Sequence, residues 1–263
     1  MDSEREHTFL PAWPELDGEK AERPVPDQVL GSPVRVSSEW RERLATGPNG
    51  DPVLVEQFRR LAATLHQAQE VHGLRSVMVT SAGLGDGKTL TACNLAFVLA
   101  ETYGHRVLLM DGDLRRPSIS NMLDLSGGLG LVDALRSPTP QKLALAQLTP
   151  RLTLLPAGRP TSNSIEALVS PRMRTIVEEA SAKFDWVVLD APPVGPSSDA
   201  RLLSHIVGGA LFVIRARKSQ HADVQKGIDA IGRDRILGVV LNDAQHGAPE
   251  AYYYSTDDNG KKR

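Results

Sequence analysis

The stretch from residue 76 to residue 96 reads SVMVTSAGLGDGKTLTACNLA, and it decides the fold. Residues 76–80 are mostly apolar and predict a buried strand, whereas the run from Thr89 predicts a helix that is apolar on nearly every side. Between them, the glycine-rich loop 81–87 fits the P-loop spacing G-x-x-x-x-G-K-[ST], with Ala82 at the place of the first glycine. The alternative is a glycine-rich turn with a chance lysine, and the flanking strand and helix disfavour it.

The P-loop predicts a site for the phosphates of a nucleotide. Its backbone N–H groups turn inward around an anion, and the following helix points its positive N-terminus at the same place. Lys88 can reach the β- and γ-phosphates, and the Thr89 hydroxyl can bind Mg²⁺. The predicted nucleotide-binding residues are Gly83, Gly85, Asp86, Gly87, Lys88, Thr89 and Leu90.

Outward from the P-loop, short apolar strands alternate with helices. Helical spacing predicts helices over 53–70, over 164–183 with a Pro-Arg interruption near residue 171, and over 220–232. Further strands are predicted at 107–110, at the start of 153–158, at 186–190, at 209–214 and at 236–242. This alternation indicates an α/β fold of the P-loop NTPase type, with a doubly wound, mostly parallel sheet flanked by helices. Ligands of such sheets bind at the carboxyl ends of the strands.

Aspartates stand at two further strand ends. The sequence DGDLRRP at 111–117 places Asp111 and Asp113 after one strand, and WVVLDAPP at 186–193 ends another in Asp190. Mg²⁺ keeps several waters and takes few carboxylates, so two or three aspartates around one nucleotide are a sensible number. An Asx-turn that closes a loop is the alternative for 111–113. Together with the P-loop, these residues predict a site for ATP or GTP with Mg²⁺.

Composition excludes several classes of protein. The chain has 263 residues, a formal net charge of −2 and one cysteine, Cys93. This charge argues against a dedicated nucleic-acid binder, and one cysteine gives neither a disulfide framework nor a cysteine-rich metal site. The N-terminus lacks the order of a signal peptide, and no apolar run reaches the length of a membrane span. We expect a cytoplasmic protein with no nucleic-acid partner.

The sequence divides into three parts. Residues 1–52 are rich in proline and charge and predict a disordered arm, 53–247 a single P-loop domain, and 248–263 a flexible tail. The arm is either a plain linker or a docking segment anchored by Trp13 and Trp40. Three of the four tyrosines stand together in the tail at 252–254, within EAYYYSTDD. Such a tail cannot bury a phenol, so the cluster is either an accident of sequence or serves chemistry or recognition.

In combination, these features resemble the bacterial tyrosine kinases (BY-kinases), of the cytoplasmic CpsD- and CapB-like type that serves capsule and exopolysaccharide synthesis. The resemblance covers residues 53–255 and rests on VTSAGLGDGKTLTACNLA, VLLMDGDLRRP, LLPAGRPTSNSIEAL, FDWVVLDAPPVGPSSDA, GVVLN and the tyrosine cluster, in the family's order. The DxDxR block and the tyrosine tail separate it from most other P-loop proteins. The fold is expected to be of the Min/Par-like subclass.

The resemblance implies an ATP- and Mg²⁺-dependent tyrosine autokinase that phosphorylates its own tail in trans and regulates polysaccharide polymerisation and export. It implies that Lys88 and Thr89 bind the phosphates and Mg²⁺, and that Asp113 and Asp190 hold Mg²⁺ and its waters. It also implies that Asp111 accepts the proton of the incoming tyrosine hydroxyl. A free phenol has a pKa of about 10, so a carboxylate acceptor is useful at neutral pH. The implied phosphoacceptors are Tyr252, Tyr253 and Tyr254.

Three further residues receive roles from the resemblance. Asn242 matches a position that contacts the base of the nucleotide in related ATPases. Arg115 and Arg116 either steer the substrate or the phosphates, or only brace their loop.

The family's ring-shaped homo-oligomer typically uses a helix with the pattern E-x-x-R-x-x-R. Here Glu56 and Arg59 match, but Ala62 replaces the second arginine, and Arg60 stands on a different helix face. The prediction of a ring is therefore open, and the alternative is a helix that merely covers the core. The resemblance also implies a separate partner, a membrane-embedded regulator of polysaccharide chain length, which would recruit the kinase to the inner face of the membrane.

Two rival functions remain. A Min/Par-type ATPase would share the fold, but it usually has a lysine where Gly83 stands and, when it binds membranes, a basic amphipathic terminal helix. A scaffold that binds ATP without catalysis would carry the tyrosines without turnover. The intact Lys88, Asp111, Asp113 and Asp190 argue against the scaffold.

Overall fold

The computed structural model describes residues 34–35, 38–47, 49–123, 128–137, 143–195 and 198–244. Within these residues, the chain forms eight strands that belong to one sheet. In chain order the strands are β1 (Val34–Arg35), β2 (Ser76–Ser81), β3 (Val107–Asp111), β4 (Ala146–Gln147), β5 (Leu152–Leu155), β6 (Trp186–Asp190), β7 (Gly209–Arg215) and β8 (Ile236–Asn242).

The α-helices of the described residues alternate with these strands. They are α1 (Pro52–His72), α2 (Lys88–Glu101), α3 (Ile119–Met122), α4 (Leu131–Arg136), α5 (Ser164–Leu168), α6 (Pro171–Lys183), α7 (Asp199–Ser204) and α8 (His221–Ile231). No described helix combines the length and the apolar character that crossing a membrane would need.

The sheet has the strand order β1-β4-β5-β3-β6-β2-β7-β8. Neighbouring strands are parallel throughout, apart from the antiparallel pair β4 and β5. Every residue of the central strands β2, β3 and β6 is buried, as their continuous apolar sequences require when helices cover both faces of a sheet. The predicted α/β fold with a mostly parallel sheet is confirmed.

Alternate residues of each central strand face two different cores. On one face, Val77 and Val79 pack in a cluster with side chains of α1 and α2. On the other face, Met78 lies in a cluster with side chains of α4 to α8. The sheet is therefore wound on both sides, and its carboxyl edge carries the loops that follow β2, β3 and β6.

The predicted helix over 164–183 is two helices in the structure. α5 ends at Leu168, and α6 begins at Pro171, where proline is tolerated because the first-turn N–H has no helical partner. Ser170 caps α6 by accepting a hydrogen bond from the Met173 N–H at 3.3 Å. The short elements β4, α4 and α7 were not predicted, because two to six residues carry too little periodicity.

The predicted disordered arm over residues 1–52 requires a correction at its end. Residues 38–43 form a 3₁₀ helix, and Leu44 is buried in the same core cluster as α1 and α2. Thr46 donates its backbone N–H and its hydroxyl to Asn94 Oδ1 of α2, at 2.9 and 2.7 Å. These contacts place residues 38–47 and 49–51 in the folded unit. Trp13 and the tail 248–263 lie outside the described residues, as does the side chain of Trp40.

Candidate active site

The P-loop connects β2 to α2 and has the backbone that its glycines permit. Gly85 and Gly87 have φ angles of 76° and 98°, in the left-handed region that residues with a Cβ rarely adopt. A Cβ on Gly87 would also lie 2.0 Å from Nδ2 of Asn242, which donates to the carbonyl of Asp86 at 2.8 Å. The last residue of β8 therefore fixes the turn into α2.

Asp86 holds the loop from inside. Its Oδ2 accepts the Gly83 N–H at 2.9 Å, and its Oδ1 accepts the Ser219 hydroxyl at 3.1 Å. Sequence reasoning missed Ser219. It follows the end of β7, and the rule that ligand sites lie beyond strand ends could have found it.

The predicted lysine and two of the predicted aspartates come together. Nζ of Lys88 lies 3.4 Å from Oδ2 of Asp113 and 3.9 Å from Oδ1 of Asp190. All three residues are buried. The lysine ammonium thus lies between two carboxylates from neighbouring strands.

Thr89 joins this cluster through its hydroxyl. It donates to Oδ2 of Asp190 at 2.7 Å and lies 3.0 Å from Oγ of Ser118, a residue that the sequence had not singled out. Oδ1 of Asp190 is fully buried and has no hydrogen-bond partner. Burial raises the pKa of Asp190 to about 6, against the lowering effect of Lys88.

These residues fit the Mg²⁺ that accompanies a nucleotide. The unpartnered oxygen of Asp190 and the Thr89 hydroxyl are hard oxygen ligands of the kind that Mg²⁺ takes. Among the described residues, no group of three or more His, Cys, Asp or Glu side chains is arranged to hold a metal ion. A metal here would therefore depend on ligands from nucleotide and water, as Mg²⁺ in nucleotide sites usually does.

Asp111 lies at the end of β3 and is completely buried. Its Oδ2 accepts the N–H groups of Ser118 and Ile119 at 3.2 and 3.1 Å, and its Oδ1 accepts that of Asp113 at 3.3 Å. Burial and, next, the charge of Asp190 raise the pKa of Asp111 to about 8. The predicted proton acceptor is therefore enclosed by the segment that follows it.

The side chains of the two arginines after Asp113 have different surroundings. Arg115 donates from Nε to Oδ2 of Asp199 at 3.0 Å, and Asp199 also accepts the Ser164 hydroxyl at 2.6 Å. Asp199 is buried, so this ion pair braces the loop, and a role of Arg115 in steering the substrate or the phosphates stays a prediction. The side chain of Arg116 is exposed, and its backbone N–H donates to Oδ1 of Asp113 at 3.0 Å.

An open groove of 820 Å³ runs beside the P-loop between α1 and the edge strand β8. Leu90, Val239, Leu241 and Asn242 line the end next to α2. Leu90 is 39 % exposed and Leu241 59 % exposed, so apolar surface is available beside the phosphate site.

Helix α1 shows why the E-x-x-R-x-x-R pattern departs at residue 62. Glu56 forms ion pairs with Arg59 at 3.9 Å and with Arg60 at 3.6 Å on the outer surface. Ala62 faces the core with no exposed surface. An arginine at this position would have to displace core side chains.

Comparison with known proteins places this site in a family. The model of the family described as "ParA: NUBPL iron-transfer P-loop NTPase" matches residues 74–256. The tyrosine-protein kinase YwqD of Bacillus subtilis (strain 168) is 33 % identical over 208 residues, which cover 78 % of this chain and 87 % of YwqD. The chain belongs to the bacterial tyrosine kinases. The ParA match also confirms the predicted Min/Par-like subclass.

Other bacterial tyrosine kinases have the same domain. The solved kinase domain of the Escherichia coli tyrosine kinase ETK is similar with a TM-score of 0.73 and 27 % identity, over 83 % of this chain and 91 % of that one. The succinoglycan biosynthesis transport protein ExoP of Rhizobium meliloti (strain 1021) is 31 % identical over 71 % of this chain, which spans only 24 % of ExoP. Similar sequence therefore occurs both in chains of about this length, such as YwqD, and within longer proteins, such as ExoP.

Proposed function

We propose that this chain is an ATP-dependent protein tyrosine autokinase that phosphorylates Tyr252, Tyr253 and Tyr254 of its own tail. The observation that carries the proposal is the cluster of Lys88, Asp113 and Asp190 at the mouth of the P-loop, in a chain similar to a tyrosine kinase over most of its length. ATP with Mg²⁺ would supply the phosphoryl group and the charge that activates it.

In this proposal, each residue of the cluster has one task. Lys88 and the backbone N–H groups of Gly85, Asp86 and Gly87 would bind the phosphates, because the ammonium and the helix N-terminus are the positive groups of the loop, and the Gly83 N–H holds the loop closed on Asp86. Thr89, Asp113 and Asp190 would hold Mg²⁺ and its waters. Leu90 and Asn242 border the groove beside α2 and would contact the base of the nucleotide.

Asp111 receives the proton of the attacking tyrosine hydroxyl as the oxygen–phosphorus bond forms and the bond to the leaving ADP oxygen breaks. It must be ionised to do so. Its pKa of about 8 belongs to a state in which three aspartates stand close together with only one ammonium beside them. A divalent cation beside Asp113 and Asp190 would lower that pKa, because an opposite charge favours the ionised form.

The proposal extends to partners and location. Relatives such as ExoP are named as transport proteins of polysaccharide biosynthesis. A membrane-embedded chain-length regulator would recruit and activate this kinase at the inner face of the membrane, and phosphorylation would control capsule or exopolysaccharide polymerisation and export. A ring-like homo-oligomer would use the exposed face of α1 that carries Glu56, Arg59 and Arg60.

Mass spectrometry of the C-terminal peptide tests the activity directly. We expect phosphate on Tyr252–Tyr254 after incubation of the full chain with ATP and Mg²⁺, and none on the Lys88→Met variant. The assay is repeated with the cytoplasmic tail of a candidate membrane regulator. ATP hydrolysis without tail phosphorylation under both conditions would contradict the proposal and indicate a Min/Par-type ATPase.

A mixing experiment tests phosphorylation in trans. A Lys88→Met chain with an intact tail is combined with an otherwise unchanged chain whose three tail tyrosines are phenylalanine. Phosphate on the Lys88→Met chain is expected, because only the other chain can catalyse and only this one can accept. Tail phosphorylation of the unchanged protein that is independent of its concentration would instead indicate reaction in cis.

A further inference from the structure

The loop that follows β7 is fastened to the P-loop from outside. We call residues 215–219, RARKS, the clasp loop. Nη1 of Arg215 donates to the carbonyl of Gly85 at 3.1 Å, and the Ser219 hydroxyl donates to Oδ1 of Asp86 at 3.1 Å. The Arg215 N–H closes the clasp loop on Oγ of Ser219 at 2.9 Å. Two consecutive P-loop residues are therefore positioned by one short loop.

The clasp loop has an unusual backbone. Among the described residues, Arg217 and Asp243 are the non-glycine residues with positive φ, at 61° and 56°. They contact each other, since Nη2 of Arg217 donates to the carbonyl of Asp243 at 3.3 Å. Sparsely populated backbone of this kind persists where its surroundings hold it, and it concentrates at functional sites.

This backbone places the Lys218 amino group over the tip of the P-loop. Its Nζ lies 3.2 Å from the position that a Cβ on Gly85 would occupy. Arg215, its neighbour in the clasp loop, is neutralised by an ion pair with Asp243 at 3.1 Å. Within the described parts of the chain, Lys218 forms no ion pair within 4.0 Å, and its side chain is exposed.

The P-loop's own lysine is in the opposite situation. Lys88 is buried between the carboxylates of Asp113 and Asp190, which oppose its positive charge. Residue 83, at the start of the loop, is glycine and contributes no charge. In the part of the chain that the structure describes, Lys218 of the clasp loop therefore brings to the tip of the P-loop an ammonium that forms no ion pair with a carboxylate.

We propose that Lys218 is a second phosphate-binding lysine, which the clasp loop holds over the P-loop to contact the polyphosphate of the bound nucleotide. The inference rests on the nucleotide binding of the proposed function, not on the identity of the phosphoryl acceptor. Glycine at residue 85 allows this arrangement in two ways. It permits the left-handed backbone turn, and the absence of a Cβ leaves room for the Lys218 ammonium.

Nucleotide titration of the full chain, by calorimetry with Mg²⁺, tests the inference. We expect Lys218→Ala to weaken the binding of ATP and of ADP by about tenfold, the usual effect of losing one hydrogen bond to a charged group. Lys218→Arg should bind nearly as the unchanged chain does. The thermal midpoint without nucleotide should not move, because Lys218 is exposed. Lys183→Ala, in the last turn of α6, is the control for loss of one lysine and should leave affinity unchanged.

Two results would overturn the inference. One is an ATP affinity of Lys218→Ala equal to that of the unchanged chain. The other is a loss of affinity matched by a lower thermal midpoint, which would show that Lys218 only stabilises the loops. Affinity and tail phosphorylation are separate measurements, so a chain that binds ATP without phosphorylating Tyr252–Tyr254 would refute the kinase proposal and still decide the role of Lys218.

Discussion

Asp111 is a carboxylate that the fold makes costly to ionise, and Asp111→Asn should remove that cost. The side chain is completely buried, close to the charges of Asp190 and Asp113. An asparagine can still accept the N–H groups of Ser118 and Ile119 through its amide oxygen, and it loses the longer bond from Asp113 at 3.3 Å. The variant therefore keeps most of the hydrogen bonds and loses the charge.

The sign of the effect follows from proton binding. The folded-state pKa of Asp111 is about 8, above the ordinary value of 3.8, so between these values the folded protein binds a proton that the unfolded chain has released. Stability therefore falls as the pH rises through this range, at up to about 1.4 kcal/mol per pH unit. From pH 6 to pH 8, where Asp111 reaches half ionisation, the loss is about 2 kcal/mol.

This pH window separates Asp111 from two other groups. The pKa of Asp190 is raised to about 6, so most of its contribution lies below the window. Burial and, next, His66 lower the pKa of His105 from 6.5, so His105 contributes stability that is lost as the pH falls below that value. Its effect has the opposite sign and lies at the acid end of the window.

Urea denaturation of the metal- and nucleotide-free protein at pH 6 and pH 8 measures the difference. The free energy of unfolding is obtained by linear extrapolation. We expect the unchanged chain to lose about 2 kcal/mol between the two pH values, and Asp111→Asn to be nearly independent of pH. If the free energy of unfolding of the unchanged chain does not depend on pH, or if that of Asp111→Asn still does, Asp111 is not the group that titrates in this window.

Asp185→Asn is the matched control. Burial raises the pKa of Asp185, but its hydrogen bonds from Arg106 at 2.8 and 2.9 Å outweigh burial, and the pKa is lowered overall. The stability that Asp185 contributes is therefore present above its ordinary pKa and lost only in acid. Its replacement should lower stability equally at pH 6 and pH 8.

Three further substitutions test the P-loop and the segment that precedes α1. Gly87→Ala should abolish measurable nucleotide binding, because the new Cβ meets Asn242 and the residue has a φ of 98°. Gly83→Ala is the control. Its Cβ would meet only Asp86 at 3.6 Å, so this variant should retain most of the nucleotide binding in the same titration. Thr46→Val should lower the free energy of unfolding by about 1 kcal/mol in urea denaturation, through loss of the 2.7 Å hydroxyl bond to Asn94 of α2. An unchanged stability would contradict a contribution of this bond to the fold.

The site could be predicted largely because a parallel sheet collects its strand ends. The sequence placed Lys88 after one strand and Asp113 and Asp190 after two others, and the order β3-β6-β2 brings those ends side by side. The register then follows, since Asp111 pairs with Asp190 across β3 and β6. The alternation of strands and helices predicted that the strand ends meet at one edge, and the strand order came from the structure.

Other features depend on contacts that no local pattern contains. The enclosure of Asp111 comes from the turn at 113–119, whose backbone N–H groups fold back on the carboxylate. The burial of Thr46 depends on Asn94, 48 residues away. The 3₁₀ helix and the bonds that follow it lie in a segment whose proline and charge content is typical of disorder, so composition predicted an arm where tertiary contacts stabilise structure.

The charges of the site offer a physical explanation for the enclosure of Asp111 by the segment 113–119. Asp113 and Asp190 face one ammonium group, and Asp111 lies close enough to feel the charges of both, so the site without nucleotide has an excess of negative charge in a buried place. Protonation of Asp111 and the three backbone N–H bonds to it relieve this excess. A proton acceptor in this condition is chemically inert, because a protonated carboxyl cannot accept another proton. A divalent cation that neutralises Asp113 and Asp190 would lower the pKa of Asp111 by removing the effect of their charges, which comes second to that of burial. The same cluster that would bind Mg²⁺ would then also favour the ionised, active form of the acceptor, which couples catalytic competence to the arrival of the nucleotide.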